Sequence, residues 1–305
     1  MVEHKGSQRS NPPQAGARRC RRAPYRAGGR ALRQGNRAEF GRCAPRRGPV
    51  SVEVTGCVPE VRVVDADSVA AILENGRGRA EYCDLAVLDF ASFVNPGGGY
   101  IRGAWAQEEA LCSESFLYNV LESQRDWYGE NRRRNINCEL YRNRGLVVPK
   151  VRFARDKIHA YADVLVIAAP NARRAREEYG VKEGVLERAM RERIRFALDV
   201  VDMLGHKKVV LGAWGCGVFG WDADTVAELF CEELARGTHA IELAIFAVSR
   251  DRFNENLQHF EHVFAAFPEK NAVSYAEAAA ERAAAAAEAE AQEEDEGEDD
   301  WRKYL

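Results

Sequence analysis

No stretch of this 305-residue chain offers the roughly 18 to 20 consecutive apolar side chains that a bilayer-spanning helix requires, so no membrane role is expected. Residues 1–50 contain no apolar core of the kind a secretory signal carries. Histidine is scarce at six, and the histidines do not gather near the eight cysteines, none of which forms a CxxC pair. Those spacings support neither a zinc site nor a disulfide framework. Dispersed thiols fit a reducing compartment and predict an intracellular protein, of cytoplasm or nucleus. No Gly-Lys-Ser or Gly-Lys-Thr ending follows either glycine-rich loop, which excludes a P-loop.

A formal net charge of −3 conceals two opposed ends. Residues 1–50 hold thirteen Lys and Arg against only Glu3 and Glu39. Residues 271–305 are mostly Ala and Glu, and include the acidic run Glu293-Glu294-Asp295-Glu296. Neither end has the apolar content to offset its ordering entropy, so both are predicted to lie outside the folded unit as a disordered basic arm and an acidic tail. The arm fits three readings: an organellar transit peptide, a segment in weak contact with nucleic acid, or sequence without a selected role. Composition leaves all three open. Residues 51–270 remain as one catalytic-sized domain, expected to act as a monomer.

Within that middle, short apolar runs alternate with helical periodicity. Strands are predicted at 60–64, 84–90, 146–149, 164–167, 208–211 and 240–248. Helices are predicted at 67–74, 106–121, 185–204, 223–234 and 254–264, with 125–143 as loop and short elements. Strand–helix alternation implies an α/β fold with a largely parallel inner sheet. Beyond it, Ser274 and Glu277 form a capping box before an alanine run, predicting a solvated, weakly held helix over about 274–292.

Two glycine-rich loops follow strands. Asn95-Pro96-Gly97-Gly98-Gly99 comes after the 84–90 run and precedes Gln107-Glu108-Glu109, which opens the next helix. Glycines admit φ > 0 and close approach of a ligand to the backbone. A glycine loop before a helix N-terminus suits phosphate. The second loop, Gly215-Cys216-Gly217-Val218-Phe219-Gly220, is formally G-x-G-x-x-G and invites a dinucleotide-binding reading. Its late position, the second glycine loop and the absence of an acid at the end of the following strand weigh against that reading. Two such loops at strand ends can grip a diphosphate from both sides.

Three segments together resemble the microbial-type poly(ADP-ribose) glycohydrolase (PARG) family. They are Gly97–Gly99 followed after a seven-residue spacer (Tyr100 to Ala106) by Gln107-Glu108-Glu109; Ala168-Ala169-Pro170-Asn171-Ala172; and Leu211-Gly212-Ala213-Trp214-Gly215-Cys216-Gly217-Val218-Phe219-Gly220. The resemblance spans roughly residues 51 to 267. It implies a macrodomain-like three-layer α/β/α sandwich with a mixed, largely parallel sheet. It also implies a hydrolase that cleaves the ribose–ribose O-glycosidic bond of poly(ADP-ribose) and releases ADP-ribose, reversing ADP-ribosylation. The alternatives are a non-catalytic ADP-ribose reader, or an ADP-ribosyl hydrolase acting on modified DNA or protein.

By the same resemblance Glu109 is the general acid/base and Glu108 binds a ribose hydroxyl. Asn95, Gly97, Gly98, Gly99 and Gln107 belong to the ligand site, with the triplet near the distal ribose and its phosphate. Gly215, Cys216, Gly217, Val218 and Phe219 wrap the diphosphate; Phe219 packs on a ribose or, as an ordinary aromatic, in the core. Adjacent helical residues cannot flank one bond as a paired acid and nucleophile, so a single carboxyl carries the proton transfers. No metal or cofactor is needed for that chemistry. Two residues depart from the pattern. Asp89 and Trp221 stand where Asn is expected, the first adding negative charge near an anionic ligand and the second altering access at the loop's edge.

Overall fold

The computed structural model describes residues 30–33, 56–252 and 255–285. Its strands are β1 (Arg30–Arg33), β2 (Glu60–Val64), β3 (Leu85–Phe90), β4 (Arg144–Arg155), β5 (Ile158–Ile167), β6 (Lys208–Leu211) and β7 (Leu243–Ala247). They form one sheet in the order β1-β4-β5-β3-β6-β7-β2. β5, β3, β6, β7 and β2 run parallel, while β4 is antiparallel to both β5 and β1. The helices are α1 (Ser68–Asn75), α2 (Gln107–Ser113), α3 (Leu117–Glu122), α4 (Arg125–Asn131), α5 (Ala172–Tyr179), α6 (Glu183–Leu204), α7 (Ala223–Ala235) and α8 (Asn256–Phe264).

The sheet is covered on both faces, which explains why its strands read as continuous apolar runs. In β3, Leu85 and Val87 point into one core with residues of α1 to α4, whereas Ala86 and Leu88 point into the other with residues of α5 to α8. The period-two alternation thus assigns the first four helices to one face and the last four to the other. The result is the expected three-layer α/β/α sandwich. Asp67, Asn171 and Asp222 cap α1, α5 and α7 through hydrogen bonds from Ala70 N, Arg174 N and Thr225 N.

Four elements differ from the sequence reading. The helix expected over 106–121 is two helices, because the Glu114 carbonyl accepts from Ala154 N at 3.0 Å and the Glu114 carboxylate grips Arg155. Ser115 Oγ completes the break by donating to the Leu111 carbonyl at 2.6 Å and accepting from Leu117 N at 3.1 Å. The segments 146–149 and 164–167 are two ends of one long antiparallel hairpin, β4 and β5. Pro149 sits at its register shift between Val148 and Val151, where a missing N–H is tolerated. α4 is one of the short elements expected within 125–143, formed because Trp127 and Tyr128 are drawn into the core, and α5 lies where no element was predicted.

The capping box forms as read: Glu277 Oε2 accepts from Ser274 N at 3.0 Å, and a helix runs over 275–285. It is held more firmly than composition suggests. Tyr275 is buried, packs its ring at a tilt against His259 with centroids 3.7 Å apart, and donates its hydroxyl to Glu255 at 2.6 Å. Arg30–Arg33 pairs with β4 through backbone hydrogen bonds, which need no apolar side chains and so left no mark in the composition. The rest of the basic arm and the run Glu293 to Glu296 lie outside the described residues.

Candidate active site

β3 ends at Phe90, after which the chain passes through the glycine triplet and a 3-10 turn at Tyr100–Arg102 before α2 begins. Gln107 latches the start of α2 to that strand. Its Oε1 accepts from Phe90 N at 2.9 Å, while its Nε2 donates to the Leu88 carbonyl at 2.9 Å and to Ser68 Oγ at 3.1 Å. Gln107, read from sequence as ligand-binding, makes hydrogen bonds here that position the helix.

Glu108 and Glu109 then turn beneath the triplet. Glu108 Oε2 accepts from Ser92 N at 2.7 Å. Glu109 Oε1 accepts from Gly99 N at 2.7 Å, and Gly98 N donates to the Asn95 carbonyl at 3.1 Å. The Gly98 and Gly99 amides are thus committed inside the protein, so the phosphate-cradle reading of Gly97–Gly99 meets a loop that already cradles a carboxylate of the protein itself. Glycine is required because φ is 64° at Gly97 and 58° at Gly98. A Cβ on Gly98 would lie 2.5 Å from Glu109 Oε1 and 2.8 Å from Glu108 Oε2. Adjacent on the helix, the two carboxyls still meet one backbone point because the loop folds over the first turn of α2. Asn95 is half-buried, its amide donating to Ser92 Oγ at 3.1 Å.

Behind this pair lies Asp89, fully buried and without a hydrogen-bond partner on either carboxyl oxygen among the described residues. Burial first, and then the charge of Glu109, push it well above the usual carboxylate range. Glu108 is pushed up likewise, by burial and next by Asp89, against the pull of the Ser92 and Gly97 amides. Asp89 was expected to add negative charge near an anionic ligand; burial without a donor favours its neutral form.

The second loop follows β6, the parallel neighbour of β3. Trp214 and Trp221 anchor it from below. Both are buried, and Trp221 donates its indole N–H to the Pro170 carbonyl at 2.8 Å. Gly215, at φ 83°, leaves room for Trp221, whose Cδ1 would meet a Cβ there at 2.7 Å. Trp221 is thus a core support of the loop and not a residue at its entrance. The Cys216 thiol is raised by burial, so the residue is a small packing group and not a thiolate.

The outer part of this loop is open. Nothing lies within 4 Å of a Cβ built on Gly217, and Val218 is 75% exposed. Among the described residues, the amides of Gly217, Val218 and Phe219 donate to no protein acceptor. The Phe219 ring meets Tyr141 edge-on at 6.5 Å, and Tyr141 stacks on Phe93 at 4.3 Å. The N-terminus of α7 is already capped by Asp222, so an anion at this loop would meet loop amides and not the helix end. A cleft of about 520 Å³ opens beside the strand ends, bordered by Phe90, Trp105, Gln107, Ala213 and Ala247.

Comparison with known proteins bears on this arrangement. The family model for the microbial-type PARG catalytic domain matches residues 36–156. Among solved structures, the chain is similar to the PARG of Deinococcus radiodurans in complex with ADP-ribose, at 32% identity and a TM-score of 0.61 over 68% of this chain and 85% of that one. The chain belongs to the microbial-type PARG family. It is also similar to the PARG of Thermomonospora curvata, at 31% identity and a TM-score of 0.59 over 67% of this chain and 76% of that one. A Thermomonospora curvata structure bound to the inhibitor ADP-HPD matches at 32% identity with a TM-score of 0.58, over 66% and 77% of the two chains. No curated protein matches the sequence.

Sequence reading of this PARG-family chain missed several supports of the site. Phe93 and Tyr141 form the aromatic floor under Phe219. Arg193, fully buried on α6, donates to Asn143 Oδ1 at 2.6 Å, to the Leu140 carbonyl at 3.0 Å and to the Ala168 carbonyl. It thereby ties the 140–143 segment to the end of β5. Its one visible signal was an arginine on the apolar face of α6, between Met190 and Ala197.

Proposed function

We propose that Glu109 is the single general acid/base of this glycosidase, and that the protein removes terminal ADP-ribose units from poly(ADP-ribose) as an exo-enzyme. The observation that carries this reading is the placement of the Glu109 carboxyl. One oxygen is anchored by the Gly99 amide, which leaves the other for the substrate. In the reaction the glycosidic bond breaks as Glu109 protonates the departing ribose 2′-oxygen and an oxocarbenium-like sugar forms. Glu109 then takes a proton from the water that adds to that sugar, which restores the acid. Glu108, held by the Ser92 amide through Oε2, is suited to accept a hydrogen bond from a ribose hydroxyl. The diphosphate would lie on the open amides of Gly217, Val218 and Phe219, and the adenosine in the cleft bordered by Trp105.

Incubation of the pure protein with labelled polymer is expected to release free ADP-ribose. Intact polymer at high enzyme concentration would exclude the activity, and binding without turnover would mark a reader module. The diphosphate subsite has its own test. Val218→Glu places a negative charge on an exposed loop position without touching the core. It is expected to weaken ADP-ribose binding by about tenfold or more, corresponding to about 1.4 kcal/mol of like-charge repulsion, with an unchanged melting temperature. Unaltered affinity in calorimetric titration would move the diphosphate away from this loop.

A further inference from the structure

Three consecutive arginines, Arg132-Arg133-Arg134, follow α4 and have no part in the mechanism above. All three are exposed. Their neighbours Arg125, Arg144, Arg174 and Arg176 each hold a carboxylate. Among the described residues the three hold none. Arg132 Nε donates to the Val94 carbonyl at 3.1 Å, and the side chains of Arg133 and Arg134 make no hydrogen bond or ion pair. Glu178 on α5 lies within electrostatic reach of Arg134, but Arg174 already takes both its oxygens, at 2.6 and 2.8 Å. Adjacent guanidinium groups without a counter-ion repel one another, a cost that a bound polyanion removes.

The fold fastens this segment to the site at both ends. At its start Asn131 Nδ2 donates to the Phe93 carbonyl at 2.9 Å, and Arg132 takes the next carbonyl, that of Val94. Asn95 and the glycine triplet follow directly. At its far end Tyr141 stacks on Phe93 and meets the Phe219 ring of the second loop edge-on. Ile136 packs on the same cluster. The arginine segment therefore borders the gap between the two glycine loops. Its backbone is left-handed at Asn135, Asn137, Cys138, Glu139 and Tyr141, with φ between 51° and 64°. Asparagine tolerates that region, whereas Cys, Glu and Tyr are strained in it. Buried Glu139 pairs with Arg174 at 3.2 Å, its carbonyl accepts from Asn171 N at 3.0 Å, and Arg193 takes the Leu140 carbonyl. Strain kept by fastening of this kind concentrates at ligand clamps and active sites.

We infer that Arg132, Arg133 and Arg134 form a second anion subsite, which holds the diphosphate of the ADP-ribose unit next to the one being released. The inference rests on the chain acting on poly(ADP-ribose) from its terminal unit. That unit's own diphosphate lies on the amides of Gly217, Val218 and Phe219, and every further unit brings another diphosphate to the rim. Guanidinium groups suit it because their planar donors meet phosphate oxygens two at a time. Free ADP-ribose, with a single diphosphate, does not use the subsite.

The test removes two of the three charges. Arg133→Gln/Arg134→Gln spares Arg132, whose bond to Val94 shapes the segment. KM for polymer at low salt is expected to rise about tenfold or more, with kcat, melting temperature and the calorimetric affinity for ADP-ribose unchanged. The slope of log kcat/KM against log salt should flatten by about 1.4, since each phosphate contact on a single strand contributes about 0.7. Arg79→Gln/Arg152→Gln is the control. It removes the same charge from exposed positions before β3 and on the outer half of β4, at the other end of the sheet. Equal KM increases in the two double variants would reduce the effect to overall charge and overturn the inference, as would a polymer KM that does not move. A parallel loss of ADP-ribose affinity would overturn it too, by placing the arginines in the terminal unit's site. Weaker binding of a single-stranded oligonucleotide beside an unmoved polymer KM would assign the patch to nucleic acid instead. If wild type turns over no polymer, the hydrolase reading fails, and the polarisation of fluorescently labelled polymer bound to the same three proteins still decides the subsite.

Discussion

Glu109→Gln is expected to lose about 10²–10⁴-fold in kcat, toward the upper end of what general acid catalysis supplies, because no second group in the site takes over the proton transfer. Binding should survive. The glutamine carbonyl can still accept the Gly99 amide that Glu109 Oε1 accepts at 2.7 Å, so the triplet keeps its course. What disappears is the proton for the leaving oxygen and the base for the incoming water. Glu108→Gln should be milder and should raise KM as well, since its proposed task is a charge-assisted hydrogen bond worth about 1.5–3 kcal/mol. Titration calorimetry with ADP-ribose beside a turnover assay separates the two effects. An active Glu109→Gln enzyme would discard the mechanism outright, and a Glu109→Gln protein that no longer binds would give the residue a structural task instead.

Gly98→Ala is expected to lose about 10²-fold or more in kcat/KM, an effect larger than its chemical modesty suggests. Two costs add. The left-handed backbone at φ 58° strains any residue with a Cβ by about 1–2 kcal/mol. The added methyl would also press on both carboxylates, 2.5 Å from one and 2.8 Å from the other, so the acid or the loop must shift. Displacement of a catalytic group by about 1 Å costs on the order of 10²-fold. Gly103→Ala separates the two costs. Gly103 has φ 74° with nothing within 4 Å of its Cβ, so it should show the strain alone, as a lower melting temperature with activity kept. Equal activity losses in the two variants would rule out the clash as the cause.

Much of the fold was legible because both-face burial leaves a plain mark. Apolar runs such as Leu85–Phe90 and Lys208–Leu211 stand out against charged helices, and Asp67 and Asp222 announce helix starts. The hairpin β4–β5 was not legible as one unit, since its outer half alternates Arg152 and His159 with Phe153 and Ala160 and lacks a solid apolar run. The break between α2 and α3 was hidden for a different reason. Glu114 continues a helical pattern locally, and only its contacts with Ala154 and Arg155, about forty residues away, end the helix.

For the site, the parts are legible in the residue order alone: two glycine loops after strands, two acids opening a helix, and a spacing that places all of them at one edge of a parallel sheet. Local rules suffice for that, because glycine conformation, strand periodicity and helix starts depend on near neighbours. Long-range packing set how the parts divide the work. It spent the Gly99 amide on Glu109 and the Gly98 amide on Asn95, and left those of Gly217, Val218 and Phe219 open. It turned Gln107 into a latch and Trp221 into a support. It also enclosed Asp89 with two other carboxyls and no cation. A carboxyl's proton affinity and an amide's freedom to bind are set by whatever the fold brings within a few ångströms, and residues distant in sequence supply those neighbours.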